Sequence, residues 1–288
     1  MYTSLATAFL LASSLVLGNP IDRSPRKCGT VISSEKIAAA EKHFAANKVS
    51  FDTLRANTST EIKVYFNVIQ ADDTPENGNV PDDVIDEQIK ILNADYSKTG
   101  ISFTLADKAK HTTNAEWFKS AAPDTSMQTE MKESLRQGEA DALNVYTVGF
   151  KEGKAEGLLG YATFPTDFKE APKDDGVVIL FSSLPKGSTE KFNLGKASTL
   201  VHEVGHWVGL YHTFQGGCEG EGDHVDDTPA EATPASGCPK DNDTCPNNEG
   251  KDPVTNFMDY SDDACLETFS EGQIARMTEQ MATYRGSK

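Results

Sequence analysis

The sequence predicts an α+β fold whose second half is dominated by loops. Short runs of branched and aromatic residues alternate with amphipathic helical patterns from residue 61 to residue 213. Residues 214–256 are instead rich in Gly, Pro, Asp and Cys, which is typical of loops held by crosslinks. The chain has 288 residues, of which 38% are apolar and 25% charged, and this ordinary globular composition excludes a mostly disordered chain.

Residues 1–18 are predicted to be a signal peptide. The apolar run at residues 5–17 is too short to span a bilayer comfortably, and the small residues Val16 and Gly18 favour cleavage after Gly18. No Lys or Arg precedes the run, and an N-terminal membrane anchor is the alternative interpretation. Cleavage would place the mature chain outside the cell, in an oxidising compartment.

Residues 19–55 are small, polar and locally basic, unlike the acidic remainder of the chain. A helix is predicted from Ser34 to Ala46, because apolar residues recur there at helical spacing behind a serine that can cap the helix. We interpret residues 19–55 as a pro-segment that precedes a catalytic domain over residues 56–288. A mobile N-terminal arm is the alternative.

The catalytic domain is predicted to contain four strands and three long helices. Runs of branched and aromatic residues indicate the strands, while apolar residues spaced by three and four indicate the helices. The predicted strands lie at 61–70, 101–105, 143–150 and 177–181, and the predicted helices lie at 81–100, 126–137 and 194–213.

The chain is strongly acidic, with 27 Lys and Arg against 44 Asp and Glu and a formal net charge of −17. Such a surface repels nucleic acid and anionic lipid headgroups, so neither is expected as a partner. No run after the leader is long and apolar enough to cross a membrane, and no stable membrane association is expected. Proteins or peptides are the expected substrates, and a monomer is the expected state.

The chemistry is concentrated in the motif His-Glu-Val-Gly-His-Trp-Val-Gly-Leu-Tyr-His, which begins at His202. His202 and His206 are four residues apart, so on a helix their imidazoles share one face and can bind one zinc ion. Glu203 is then placed to act as the general base on water. Gly209 can adopt a backbone conformation that ends the helix, which would bring His212 round as the third ligand.

The same residues are open to interpretations other than a catalytic site. Two histidines four residues apart on a helix are usually incidental, but here half of the six histidines fall within one motif. A closed structural zinc site would need a fourth protein ligand, whereas three imidazoles leave one position to water, as in catalytic sites. A non-catalytic binding module, an inhibitor-like pseudoenzyme and a zinc hydrolase of small non-peptide substrates are the competing functions.

The extended motif resembles that of metzincin metalloproteases, in which a methionine turn lies beneath the metal. Residues 256–260, Asn-Phe-Met-Asp-Tyr, are similar to that turn. The resemblance implies that Met258 forms an apolar floor under the three imidazoles, for which ordinary core packing is the alternative explanation. It also implies that Tyr260 donates its phenol to the developing oxyanion.

The segment between these motifs looks like the pappalysin group of metzincins, especially secreted fungal and bacterial enzymes. The residues that carry this resemblance are Gly-Cys at 217–218, Asp-Thr-Pro at 227–229, Gly-Cys-Pro at 237–239 and Cys-Pro at 245–246. It implies a zincin fold, with a twisted, mixed five-stranded sheet, a backing helix and an active-site helix. An upper subdomain over about 56–209 and a loop-rich lower subdomain over about 210–288 would flank the substrate cleft.

The five cysteines divide into four in the loop-rich half and one in the pro-segment. Cys218, Cys238, Cys245 and Cys265 allow three pairings, of which the resemblance favours Cys218 with Cys245 and Cys238 with Cys265. Cys28 is left over. Because a thiolate is a good zinc ligand, Cys28 could take the fourth position on the metal and hold the precursor inactive, which resembles the cysteine switch of other metzincins. An unpaired thiol and a disulfide to an external partner are the alternatives.

Two further predictions concern calcium and carbohydrate. The acidic residues between 219 and 231 offer oxygen donors for a structural calcium ion, although a solvated acidic face is the alternative. Asn57 and Asn242 each begin an Asn-X-Ser/Thr sequence that predicts N-glycosylation. The sequence thus predicts a secreted zinc endopeptidase, made as a zymogen, in which Glu203 and Tyr260 are catalytic.

Overall fold

The computed structural model describes residues 26–54, 59–187 and 196–286. The predicted signal peptide and the predicted glycosylation site Asn57 lie outside these residues. Across the described ranges, no helix combines the length and the apolar character that a bilayer crossing requires.

A mixed sheet of six strands lies at the centre of the part of the chain that precedes the helix of the histidine motif. The strands are β1 (Thr60–Gln70), β2 (Ile101–Leu105), β3 (Lys110–Thr113), β4 (Leu143–Val148), β5 (Gly160–Ala162) and β6 (Val177–Leu180). They are ordered β2-β1-β4-β6-β5, with β3 also paired to β1. All neighbouring pairs are parallel except β5 and β6, which are antiparallel.

The sheet is five positions wide, as the metzincin resemblance implies, although it contains six strands. β2 pairs with residues 60–64 of β1, and β3 pairs with residues 67–70 of the same strand. One outer position is therefore filled by two consecutive strands. The four strands predicted from the sequence are present, whereas β3 and β5 were not predicted because four and three residues are too short to show an alternating pattern.

Seven α-helices accompany the sheet in the described residues. They are α1 (Ser34–Asn47), α2 (Phe51–Leu54), α3 (Asp82–Asp95), α4 (Ala115–Ser120), α5 (Ser126–Leu135), α6 (Ser198–Trp207) and α7 (Glu271–Gln280), with a π-helical turn at Met281–Arg285. The predicted helix over 194–213 is wrong in its length, because α6 ends at Trp207 and Gly209 has a φ of +106°. The side chain of Ser33, one residue before the predicted cap, caps α1.

The main hydrophobic core lies between the sheet and the helices α3 and α6. Buried apolar side chains of β1, α3, β4 and α6 meet there, and α3 is the backing helix that the resemblance implies. Representative members, each at most 1% exposed, are Ile62, Val64, Leu92, Val145, Val201, Val204 and Trp207. Their burial fixes the rotation of α6, whose other face carries the histidine motif.

The loop-rich half is crosslinked by two disulfides. Cys218 is bonded to Cys245 with a Cα–Cα distance of 5.4 Å, and Cys238 to Cys265 with a Cα–Cα distance of 5.7 Å. This is the pairing that the resemblance implies. Each bridge is expected to stabilise the segment by about 2–4 kcal/mol, mainly by restricting the unfolded chain.

The C-terminal end of the chain is anchored beneath α6. Arg285 Nη2 donates to Asp175 Oδ1 at 2.8 Å, and both side chains are 0% exposed. Asp175 also accepts a hydrogen bond from Trp207 Nε1 at 3.2 Å. The Arg285 guanidinium lies 3.7 Å from the Trp207 ring centroid, and its Nε donates to Trp207 O at 3.1 Å. A buried charge pair thus holds the last turn of the active-site helix.

Candidate metal centre

Helix α6 carries His202, Glu203 and His206, and all ten of its residues are buried. Gly205 is required within the motif because a Cβ there would lie 2.3 Å from Met258 Sδ. The start of the helix has no cap from its own N-cap residue. Asp263 supplies one from outside the helix, since its Oδ2 accepts from Ser198 N at 2.9 Å.

The turn after α6 brings the third histidine to the first two. Gly209 adopts a φ of +106°, where a Cβ would also lie 2.6 Å from Gln280 Cγ. His212 Nε2 consequently lies 3.3 Å from His202 Nε2 and 3.1 Å from His206 Nε2. The structure therefore brings together all three predicted ligands.

Hydrogen bonds orient two of these imidazoles. His202 Nδ1 donates to Phe257 O at 2.7 Å, and His206 Nδ1 donates to Leu210 O at 2.8 Å. Because a carbonyl can only accept, each Nδ1 carries a proton and each Nε2 presents a lone pair. Burial lowers the pKa of all three histidines, that of His206 to about 4, so all are neutral near pH 7.

The donor set fits a tetrahedral zinc ion. Lone pairs of buried nitrogens 3.1–3.3 Å apart repel one another unless a cation lies between them. Tetrahedral zinc, with bonds to nitrogen of about 2.0–2.1 Å, requires a separation between nitrogens of about 3.3 Å. The Nδ1 atoms of His202 and His206 are held by carbonyls, which is the usual support for metal-binding histidines.

Cys28 lies at the same point. Its Sγ is 3.7 Å from His206 Nε2, and the four ligand atoms of Cys28, His202, His206 and His212 all lie within 4.8 Å of one another. Backbone hydrogen bonds to the edge strand β5 hold it there, from Leu159 N to Lys27 O at 2.9 Å and from Gly29 N to Gly160 O at 2.8 Å. Cys28 and Gly160 form a parallel bridge, so the N-terminal segment extends the sheet.

Glu203 lies beside the four ligand atoms and is covered by the N-terminal segment. Its Oε2 accepts from Cys28 Sγ at 3.4 Å and from Thr30 Oγ1 at 3.3 Å. Burial raises the pKa of Glu203 to about 8. Gly160 allows β5 to approach closely, because a Cβ there would lie 2.7 Å from Glu203 Cγ.

Met258 and Tyr260 flank the histidines and belong to the loop-rich segment between α6 and α7. Met258 is 0% exposed beneath α6, and its backbone N donates to Asn256 Oδ1 at 2.9 Å. The Tyr260 ring centroid is 5.0 Å from that of His212 and 5.8 Å from that of His202. Burial raises the pKa of Tyr260 well above its usual range, so the phenol keeps its proton.

Three residues at the centre were missed by sequence reasoning, namely Arg26, Thr30 and Asp263. Arg26 forms a buried ion pair with Asp263, and its Nη1 donates to Thr199 Oγ1 at 3.3 Å. Arg26 and Asp263 are 237 positions apart in sequence. No local spacing could reveal a pair that only the tertiary fold brings together.

The structure also describes residues of the two predicted accessory sites. Within the described part of the chain, the acidic side chains between 219 and 231 form no group of three with ligand atoms close enough to share an ion. Asp223 and Glu231 are buried, while Asp227 accepts from Gly272 N at the start of α7. Asn242 donates through Nδ2 to Asp252 Oδ2 at 2.8 Å. Calcium binding and glycosylation stay predictions.

Sequence comparisons place the chain among metalloproteases. A family model described as pregnancy-associated plasma protein-A matches residues 132–282. An extracellular metalloprotease of Pyricularia oryzae is 43% identical over 289 aligned positions, which cover 97% of this chain and 96% of the relative. Extracellular metalloprotease 1 of Coccidioides posadasii is 39% identical and is covered, like this chain, over 100% of its length.

Solved structures agree with these relatives. A mutant of Tannerella forsythia promirolysin superimposes with a TM-score of 0.72 and 26% identity, covering 90% of this chain and 95% of that chain. Tannerella forsythia mature mirolysin in complex with a cleaved peptide gives a TM-score of 0.62 and 27% identity, covering 77% of this chain and 91% of that chain. The predicted α+β metzincin fold is confirmed, and the chain belongs to the pappalysin family of metalloproteases.

Proposed function

We propose that this metalloprotease is a secreted zinc endopeptidase synthesised as an inactive precursor. The observation that carries the proposal is the convergence of Cys28 Sγ and three buried imidazole nitrogens on one point beside Glu203. His202, His206 and His212 would hold the ion. When bound, zinc supplies Lewis acidity to the scissile carbonyl and lowers the pKa of water at the site.

Glu203 is the proposed general base. In the precursor its Oε2 atom accepts hydrogen bonds from Cys28 and Thr30. Once those residues leave, the same oxygen is available to a water molecule. Glu203 can then accept the proton of the attacking water and pass it to the leaving amine.

Tyr260 and Met258 are proposed to complete the site. The phenol of Tyr260 keeps its proton, so it can donate a hydrogen bond to the oxygen on which negative charge develops. Met258 lies under Gly205, where it fills the space beneath the motif and fixes the height of α6. Met258 therefore acts as a positioning residue, as expected of a methionine turn.

Residues 19–55 are the proposed pro-segment, and Cys28 is its inhibitory group. Burial and the nearby Glu203 raise the pKa of the Cys28 thiol. A divalent cation held by the three imidazoles would reverse that preference, because coordination favours the thiolate. Cys28 would then take the coordination position that water needs, while Thr30 Oγ1 donates a hydrogen bond to Oε2 of the proposed base, Glu203. Both functions are blocked by one short segment.

The pocket that holds Arg26 is proposed to select basic side chains of the substrate. Arg26 lies two residues before Cys28, and both Arg26 and Asp263 have side chains at most 1% exposed. Departure of the pro-segment would leave the Asp263 carboxylate buried without its arginine. An Arg or Lys side chain of a bound substrate restores the pairing, so cleavage next to basic residues is favoured.

Replacing Asp263 with Asn should lower kcat/KM for peptides with a basic residue at this pocket by about 100-fold or more, because a buried charge pair loses one partner. Asn keeps the acceptor for Ser198 N, so α6 stays capped. Peptides with Leu at the same position should be nearly unaffected. Glu267→Gln, which neutralises an exposed carboxylate nearby, is the control. An equal loss for both peptides would contradict the assignment.

Chelation tests the proposed function as a whole. The activated enzyme should cleave denatured casein, lose this activity completely on treatment with a chelator, and regain it with stoichiometric zinc. Cleavage of a protein also separates an endopeptidase from a zinc hydrolase of small substrates. Activity that survives removal of all bound metal, measured by elemental analysis, would contradict the proposal.

The remaining features of the proposal concern the secreted protein. Extracellular naming of the relatives supports the signal peptide over 1–18 and export of this chain. N-terminal sequencing of the secreted form would locate both the signal cleavage and the end of the pro-segment. A monomer, a structural calcium ion and glycans on Asn57 and Asn242 are proposed alongside it.

A further inference from the structure

Helix α1 contacts the body of the enzyme through residues other than Cys28. Ile37, Glu41 and Phe44 recur at intervals of four and three, so they share one face of the helix. Ile37 packs in a separate apolar cluster with Phe164 and Tyr211. Ile37 and Phe44 are 7% and 5% exposed. We call the surface formed by Phe164, Tyr211, Arg276 and Glu279 the helix dock.

The centre of the helix dock is a carboxylate cradle. Glu41 Oε1 accepts from Tyr211 OH at 2.9 Å and from Arg276 Nη2 at 2.5 Å, and Glu41 Oε2 accepts from Arg276 Nη1 at 3.1 Å. This bidentate, charge-assisted arrangement is among the strongest polar contacts available to a side chain. The Arg276 guanidinium also lies 4.9 Å from the Tyr211 ring centroid and 5.5 Å from that of Phe44.

The cradle is built on the turn that carries a proposed metal ligand. Arg276 Nε donates to Gly209 O at 2.9 Å, and Tyr211 directly precedes His212. Arg276 and Tyr211 are thus held by the enzyme's own backbone as well as by Glu41. The cradle consequently does not depend on the pro-segment for its construction.

A second set of contacts follows at the end of α1. Lys48 Nζ pairs with Glu279 Oε2 at 3.2 Å, and Phe51 N donates to Glu279 Oε1 at 2.8 Å. His43 Nδ1 lies 2.9 Å from Tyr284 OH. These contacts extend over residues 37–51, so the segment is anchored along its length rather than only at Cys28. All of them lie on the N-terminal side of the connection to β1.

From these contacts we infer that the helix dock is a binding site for the pro-segment as a separate chain. Cutting the connection between α2 and β1 removes the covalent link that keeps the pro-segment at a high effective concentration near the helix dock. The cut removes none of the contacts with Arg276, Tyr211 and Glu279. The cut segment stays bound and keeps Cys28 in place, so cleavage alone does not release activity. This inference rests on the proposed zymogen, and it assigns retention to Glu41 rather than to Cys28 alone.

The test uses the full-length Glu203→Gln precursor, in which residues 55–58 are replaced by a recognition sequence for an external protease. After cutting, the fragment containing residues 26–54 should co-elute with the body in gel filtration at micromolar concentration. Glu41→Gln should raise the dissociation rate of this fragment by about 10- to 100-fold, since it removes a hydrogen-bonded charge while keeping the side-chain shape.

Two further variants make the result specific. Lys42→Gln is the matched control, because Lys42 is the exposed neighbour on the same helix, and it should leave the dissociation rate unchanged. Tyr211→Phe removes one donor from the body and should accelerate dissociation without any change in α1. Equal rates for Glu41→Gln and Lys42→Gln, or immediate release of the wild-type fragment, would overturn the inference. Binding is measured on the Glu203→Gln variant and needs no catalysis. Loss of binding would therefore contradict this inference alone, whereas retained proteolysis by Glu203→Gln would contradict the proposed function.

Discussion

Replacing Glu203 with Gln is expected to lower proteolysis by about 10²- to 10⁴-fold while leaving the metal site intact. Gln matches the size of Glu but cannot accept the proton of the attacking water. The loss corresponds to about 2.7–5.5 kcal/mol in the activation barrier. The imidazoles remain held by Phe257 O and Leu210 O, so the variant should retain zinc.

The measurement pairs kcat on a casein-derived peptide with zinc content by elemental analysis. His212→Ala is the informative comparison, because it should lose metal and activity together, whereas Glu203→Gln should lose activity alone. Wild-type rates from Glu203→Gln would remove Glu203 as the base. Loss of zinc from that variant would instead show that Glu203 supports the ligands.

The second large effect is expected from Cys28→Ala in the precursor. Without the thiol, residues 26–30 keep the Arg26–Asp263 pair and the hydrogen bonds to β5 but lose their contact with the metal position. Each 1.4 kcal/mol lost from the binding of the pro-segment to the metal site lowers the ratio of blocked to open precursor by a factor of ten. A metal–thiolate bond is expected to contribute at least about that much. Basal proteolysis by the uncut precursor should therefore rise by at least about tenfold.

This result is measured on full-length protein whose integrity is checked by mass spectrometry before and after the assay. Combining Cys28→Ala with Glu203→Gln separates activity of the precursor from processing by a contaminant, because the double variant should be inactive and uncut. Lys27→Ala, next to the thiol in sequence, is the control and should stay latent. A Cys28→Ala precursor as silent as the wild type would place latency elsewhere in the segment.

The three histidines of the metal centre could be predicted from the sequence, because local backbone geometry determines their positions. The spacing of His202 and His206 follows from the helical repeat, and Gly209 provides the turn that returns His212. The predicted helix over 194–213 is longer than α6 because the apolar pattern continues past Gly209, where the regular helical hydrogen bonding has already ended. Periodicity shows which face is buried, but it does not show where a chain turns.

Features made by distant segments could not be predicted. The Arg26–Asp263 and Glu41–Arg276 pairs join positions more than 230 residues apart, and each partner alone is an ordinary charged residue. Strand β5 is three residues long, and its role as the edge that receives Cys28 depends on the sheet order. Such pairings arise only when the whole sheet and the C-terminal helix are assembled.

The Arg285–Asp175 pair gives the end of helix α6 a support that lies outside the metal centre. Asp175 accepts from Arg285, Arg136 and Trp207, so three segments that are distant in sequence share one buried carboxylate. An unpaired buried charge costs about 3–5 kcal/mol, a large share of a typical domain's stability. Substitutions at Arg285 or Asp175 are therefore expected to impair proteolysis through loss of folded protein, not through loss of a group that touches the substrate.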